Sequence, residues 1–231
     1  MLFRRATAAC LIMFATMSVV GCSGAIRRGV LAVILSSTGS AEWAPDAASA
    51  LRRFDRATTL APGSIVRTDS SPLGIGLVPG VFVEISPHSE LQITELAVTK
   101  NGNDTDDRLR DRRARVRLKE GSLVVMLDSP ARFAVETSQL EVKVTPGCLF
   151  RLTTKPDATR VTCIRGKIYT TAGTAVSTVE AGYTQQWPSD EPAKPTTAEP
   201  GAQSEANEAL QTETLLREAT ARHRGDAPIA R

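Results

Sequence analysis

The sequence predicts an all-β fold, a solenoid-like or sandwich-like stack of short strands, with one short helix and a disordered C-terminal tail. Three observations lead there. From Gly29 to Pro188, short apolar alternations are broken by Gly, Pro, Asp or Asn roughly every ten residues, the rhythm of strands and turns. Within that span only Pro45–Thr58 carries a helical spacing, with Leu51 and Phe54 three apart, and it reads equally as an exposed insertion loop. Beyond Ser189 the composition shifts to Pro192, Pro195 and Pro200 among Ala, Thr and Glu, which buries too little apolar surface to fold.

The elements follow in order. Arg4 and Arg5 precede an apolar run from Ala6 to Val20 that is shorter than the ~20 residues of a membrane span, so residues 1–21 read as a signal peptide. The ending Val19-Val20-Gly21-Cys22 resembles the lipobox of bacterial lipoproteins. That resemblance implies cleavage before Cys22 and lipid attachment to its sulfur by acyl chains of the palmitate kind. Several acyl chains anchor a protein stably where one alone binds marginally. Residues 22–28 would then be an anchor and short tether. The expected address is the bacterial cell envelope, facing the periplasm. Ser23 stands where an Asp would retain a lipoprotein at the inner membrane, which favours the outer membrane.

Residues 29–187 form the expected β domain, large enough for a core without staples. Val30–Leu35 reads as a buried strand, and Ile65–Thr68 follows the turn Ala61-Pro62-Gly63. Gly74–Val78 and Val81–Ile85 flank Pro79-Gly80, a turn pair in which Pro fixes φ and Gly supplies positive φ. Leu91–Thr99, Ala114–Leu118, Ser122–Leu127, Phe133–Thr137, Leu140–Val144, Cys148–Thr153, Arg160–Ile164 and Lys167–Thr170 complete the strands. Val81, Val83 and Ile85 share one face of their strand, while Phe82 and Glu84 take the other. In the tail, residues 188–231, Gln203–His223 supports a transient helix with a thin stripe of Ala206, Leu210 and Leu216.

Several function classes are disfavoured by composition. Over 231 residues, 28 Lys+Arg stand against 25 Asp+Glu, a formal charge of +3. That balance is not built to hold nucleic acid by charge. Aromatic residues at 4% leave few rings for stacking bases or sugars. His88 and His223 have no nucleophile in a recognisable elbow nearby, and no G-x-S-x-G, H-E-x-x-H or paired C-x-x-C occurs. No enzymatic activity, cofactor or metal is expected.

Four phrases stand out once the strands are placed: Pro62-Gly63-Ser64-Ile65-Val66-Arg67-Thr68, Val81–Leu91, Leu118-Lys119-Glu120-Gly121-Ser122-Leu123-Val124-Val125 and Phe133-Ala134-Val135-Glu136-Thr137. Thr145–Leu152, Val161–Ile168 and Ala181-Gly182 continue the series. In order and spacing they resemble the FecR domain family, over roughly residues 29–186. The resemblance implies a periplasmic β module that works by binding other proteins. It does not extend to the family's transmembrane relay role, because only a short tether separates Cys22 from Gly29. Two positions depart from the pattern: Cys148 stands in place of a threonine, and Arg165 in place of an acid before Gly166.

The remaining candidate site residues fall into four groups. Arg113, Arg115, Arg117 and Lys119 recur at period two, so they leave one face of a strand while Ala114, Val116 and Leu118 face inward. This basic strand is either edge protection or a dock for a protein partner, with anionic envelope glycan or polymer as the alternative ligand. Asn101–Asp107 is rich in carboxylates but lacks the Gly and Glu positions of an EF-hand. Trp43 and Trp187 bracket the domain and are expected to pack rather than to bind.

Cys148 and Cys163 form the last group, a candidate disulfide pair, since Cys10 leaves with the signal peptide and Cys22 takes lipid. If Thr154 pairs with Thr159, Phe150 opposes Cys163 and Cys148 opposes Arg165, leaving the thiols diagonal at about 7 Å. A tighter loop would set them directly opposite, at about 5 Å. Both registers turn the two side chains inward.

Overall fold

The computed structural model describes residues 25–37, 40–55, 58–101, 111–189, 191–199 and 201–225. The expected signal peptide, Cys22 and the acidic stretch from Gly102 onward lie outside the described residues. The chain runs through β1 (Ala25–Gly29), β2 (Ala32–Ser37), β3 (Ala41–Ala44), β4 (Arg52–Arg53), β5 (Thr59–Leu60), β6 (Ile65–Thr68), β7 (Leu73–Val78), β8 (Val81–Ile85) and β9 (Glu90–Asn101). It continues with β10 (Asp111–Leu127), β11 (Arg132–Glu136), β12 (Glu141–Val144), β13 (Leu149–Thr154), β14 (Thr159–Arg165), β15 (Lys167–Ala172), β16 (Ala175–Glu180), β17 (Tyr183–Trp187) and β18 (Lys194–Pro195). One helix, α1 (Ala202–Gly225), follows. The class is all-β, as the alternation predicts.

The strands form two sheets that share β10. In the first sheet, residues 111–120 of β10 pair antiparallel with β9 and parallel with β11. From β11 that sheet continues through β12 and β15 to β16. From β9 it continues through β6 and β3 to β4, with β1 beside the far end of β9. In the second sheet, residues 121–127 of β10 pair with β8 on one side and β13 on the other. That sheet ends at β5 through β7 and β2, and at β18 through β14 and β17.

The sequence reads β10 as two strands, Ala114–Leu118 and Ser122–Leu127, and the structure joins them. A register shift between Leu118 and Glu120 lets the strand bend from one sheet into the other. Gly121 sits at the bend with φ +96°, and a Cβ there would lie 2.2 Å from Ser89 Oγ. Only glycine fits, for both reasons. One core fills the space between the sheets. Val116, Leu118, Val135, Val142 and Ile168 come from the first sheet, and Ile75, Val83, Leu123, Phe150 and Val161 from the second. This two-sheet packing realises the sandwich alternative.

Two local expectations are refined. Pro45–Thr58 takes its loop alternative where described, with Arg52 and Phe54 folded back onto Trp43. Arg52 lies in β4, which pairs with β3, the Trp43 and Phe54 rings stack at 6.2 Å, and the Arg52 guanidinium lies 4.1 Å over the Trp43 ring. The tail takes its helical alternative over Ala202–Gly225, as a packed rather than a transient helix. Its buried stripe is Ala202, Ala206, Ala209, Leu216 and Ala219, whereas Leu210 is 46% exposed. Small residues at helical spacing let α1 lie close to the second sheet, and that stripe is invisible to a search for large apolar side chains.

Candidate functional site

The basic strand leaves the solvent side of the first sheet. Ala114, Val116 and Leu118 are buried beneath it, as alternation requires. Its cations do not stand alone. Arg115 donates to Glu136 at 2.6 Å and lies 3.2 Å from Glu141, while Arg117 donates to the other Glu136 oxygen at 2.9 Å. Arg113 donates to Asp111 at 2.8 Å, and Lys119 to Glu90 at 3.0 Å. Register explains the meeting: the parallel β10–β11 ladder sets Glu136 beside Arg117, and β12 sets Glu141 beside Glu136. Hydrogen bonds from Arg115 and then Arg117 hold the Glu136 carboxyl below its ordinary range. Burial pushes Glu90 up, but hydrogen bonds from Lys119 and Arg67 outweigh it and the net direction is down. The result is a flat lattice of alternating signs.

The opposite face, on the outside of the second sheet, is covered by α1. Phe82, Val124, Met126 and Leu149 form a second apolar cluster with Ala209 and Leu216 of the helix. Gly74 leaves room for this contact, since a Cβ there would lie 3.2 Å from Leu216. Polar pairs line both margins. Arg151 donates to Glu208 at 2.6 Å, and Thr212 to Glu84 at 3.0 Å. Arg165 grips Glu213 with two nitrogens at 3.2 and 2.7 Å, and Arg217 reaches Asp128 at 3.0 Å. Phe82 and Glu84 thus point away from the core, as the sequence indicates, and they lie under the helix. Arg165, one of the two positions at which the resemblance departs, is one of the helix's ionic partners.

Cys148, the other departure, meets Cys163. The Thr154↔Thr159 register holds and Phe150 opposes Cys163, but a bulge then pairs Leu149 with Arg165 and shifts Cys148 toward Gly166. Both cysteines are fully buried, free thiols. A hydrogen bond with Cys163, followed by burial, pushes the Cys148 thiol up.

His88 occupies a turn at φ 55°, its N–H bonded to the Asp69 carbonyl at 2.7 Å. Trp187 is 6% exposed and belongs to the core. Among the described residues no group of three or more His, Cys, Asp or Glu is placed to hold a metal ion. Among them too, no helix is long and apolar enough to cross a membrane.

No family model matches the chain, and no curated protein does. Two crystal structures of a candidate anti-sigma factor from Parabacteroides distasonis, at 2.50 and 1.65 Å resolution, are similar with TM-scores of 0.42 and 0.41. Identity is 16% in both, over 57% of this chain and 59% of that chain. The chain therefore spans less than two thirds of the length of those structures.

Proposed function

We propose that this chain is a lipid-anchored, non-enzymatic module of the cell envelope that binds a protein partner, in the manner of FecR-like domains in envelope signalling or assembly. The observation that supports it best is the pairing of the basic strand. A polyanion needs cations free to replace its counterions, whereas Arg113, Arg115, Arg117 and Lys119 each already face a carboxylate. A surface of fixed, alternating charges suits a partner of complementary pattern and sets register more than raw affinity.

The test replaces Arg117 with a photocrosslinking amino acid in the full chain and irradiates intact envelopes. A discrete protein adduct that persists in excess polyphosphate is the expected result. Loss of the adduct with polyphosphate would favour the anionic-polymer alternative. In parallel, Cys22→Ser should leave uncleaved or soluble protein; a variant that matures normally and stays with membranes removes the anchor from the proposal.

A further inference from the structure

The rims of the two sheets are not alike. The second sheet ends at β5 and β18, each two residues long, and β18 contains Pro195. On the first sheet, β4 is Arg52-Arg53 and β1 carries Arg27 and Arg28. Brevity, charge and proline are the devices by which proteins blunt an open edge. The rim at β16 is neither short nor broken by proline, and its one charge, Glu180, stands at its last residue, paired with Lys167 at 2.8 Å. From Ala172 to Val179 there is no charged residue and no proline, the strand is six residues long, and Val176 is 68% exposed. Among the described residues β16 pairs with β15 alone.

The hydrogen-bond phase of that rim is fixed. The Lys167 carbonyl accepts from Thr145 on the β12 side, so Ile168, Thr170 and Ala172 bond toward β16. Their partners are Val179, Ser177 and Ala175, which leaves the N–H and C=O groups of Val176 and Thr178 directed outward. A cavity of about 490 Å³ lies against the inward side of the same strand; Ala172, Ala175, Trp187 and Pro188 are among its apolar lining, and Gln139 and Glu191 are among its polar lining.

From these two features we infer that β16 is a docking edge for an extended, uncharged segment of the partner protein, which adds to the first sheet as a further strand. The free backbone groups of Val176 and Thr178 supply its ladder, and the neighbouring cavity takes its inward apolar side chains. A second copy of this chain is the poorer occupant. Antiparallel pairing of two β16 strands presents only Ala175 and Ser177 to the cavity, because Val179 is already fully buried in its own core. The inference rests on the protein-binding reading above and adds a second contact on the same sheet, beside the charged lattice of β10.

The experiment uses the full mature chain in detergent and a fluorescent, end-capped octapeptide alternating threonine with valine and leucine. The control peptide carries two prolines. Thr178→Pro removes an outward N–H without touching the β15–β16 ladder, and Val176→Lys places a charge on the rim. The alternating peptide should bind and the proline peptide should not, and each variant should raise Kd by about tenfold or more. Circular dichroism and melting confirm folding, and either variant suffices if the other fails to fold.

Equal binding of both peptides, or unchanged affinity in a folded variant, overturns the inference. So does a concentration-dependent dimer abolished by Thr178→Pro, which would make the occupant a second copy. A photocrosslinked protein partner held equally by wild type and Thr178→Pro also overturns it and leaves the protein-binding function standing. Edge-specific peptide binding without any protein adduct has the opposite meaning, sinking that function and keeping the edge.

Discussion

Leu216 is the one large side chain of α1 that is almost fully buried, at 1% exposure, and it packs among Phe82, Val124, Met126 and Leu149. Leu216→Ala removes its contacts and leaves a void beside Gly74. Truncations of this kind cost about 2–5 kcal/mol. The lower end applies, about 2–3 kcal/mol, because a helix lying on an outer face can settle toward the sheet. The loss has a ceiling at the docking free energy of α1, since the helix can detach while the sandwich stays folded. With about 2–4 °C per kcal/mol for a domain of this size, melting should fall by roughly 5–10 °C. Hydrogen exchange provides the second readout. Amides of α1 should lose protection first, while those of β10 and β13 keep theirs. A melting shift under about 1 °C together with unchanged α1 protection would falsify the docked helix and return the tail to disorder.

Two further outcomes follow from named contacts. Gly121→Ala combines a positive φ with a Cβ 2.2 Å from Ser89 Oγ, so it should destabilise by about 2–5 kcal/mol in denaturant titrations; a loss under about 0.5 kcal/mol would show that β10 can bend without glycine. Burial under α1 pushes the Glu84 carboxyl above its ordinary 4.5, against the hydrogen bond from Thr212. Its charged form is therefore disfavoured in the fold, a penalty fully present above the raised pKa and absent below 4.5. Glu84→Gln, which keeps an acceptor for Thr212, should raise the melting temperature at pH 7, with the gain fading as pH falls through that window; a gain independent of pH would rule out titration as its cause.

Much of the sandwich is readable along the chain because alternation reports local burial. Val81, Val83 and Ile85 against Phe82 and Glu84, or Ala114, Val116 and Leu118 against their arginines, show their faces without any partner. What alternation does not carry is what lies across a face. Glu136, Glu141 and Glu90 pair with Arg115, Arg117 and Lys119 from other strands, 19 or more residues away, so the sequence displays a patch where the structure has a lattice. Strands β16 and β17 escape notice because Ser, Thr and Gln fill them. The helix stripe is only half legible: Ala206 and Leu216 belong to it, while Ala202, Ala209 and Ala219 carry no signal in a tail rich in alanine. The register of Thr154 with Thr159 is legible from turn chemistry, while the bulge at its far end, which carries Cys148 past Arg165, has no local signal.

The shared strand also dictates when the molecule can fold. Strands β1 to β9 already supply one flank of both sheets, and β11 to β18 supply the other. Until β10 arrives, β8 and β9 each present an open row of backbone donors and acceptors, and no sequence of local hairpins closes either row. A chain emerging N-terminus first would hold β1 to β9 in that exposed condition, vulnerable to pairing with its neighbours. β10 then covers β8 and β9 together and offers its two far sides to β11 and β13. Such a topology favours slow, all-or-none assembly, dominated by contacts far apart in the chain. It leaves little room for a stable half-molecule, and any cut near Gly121 would undo both layers at once.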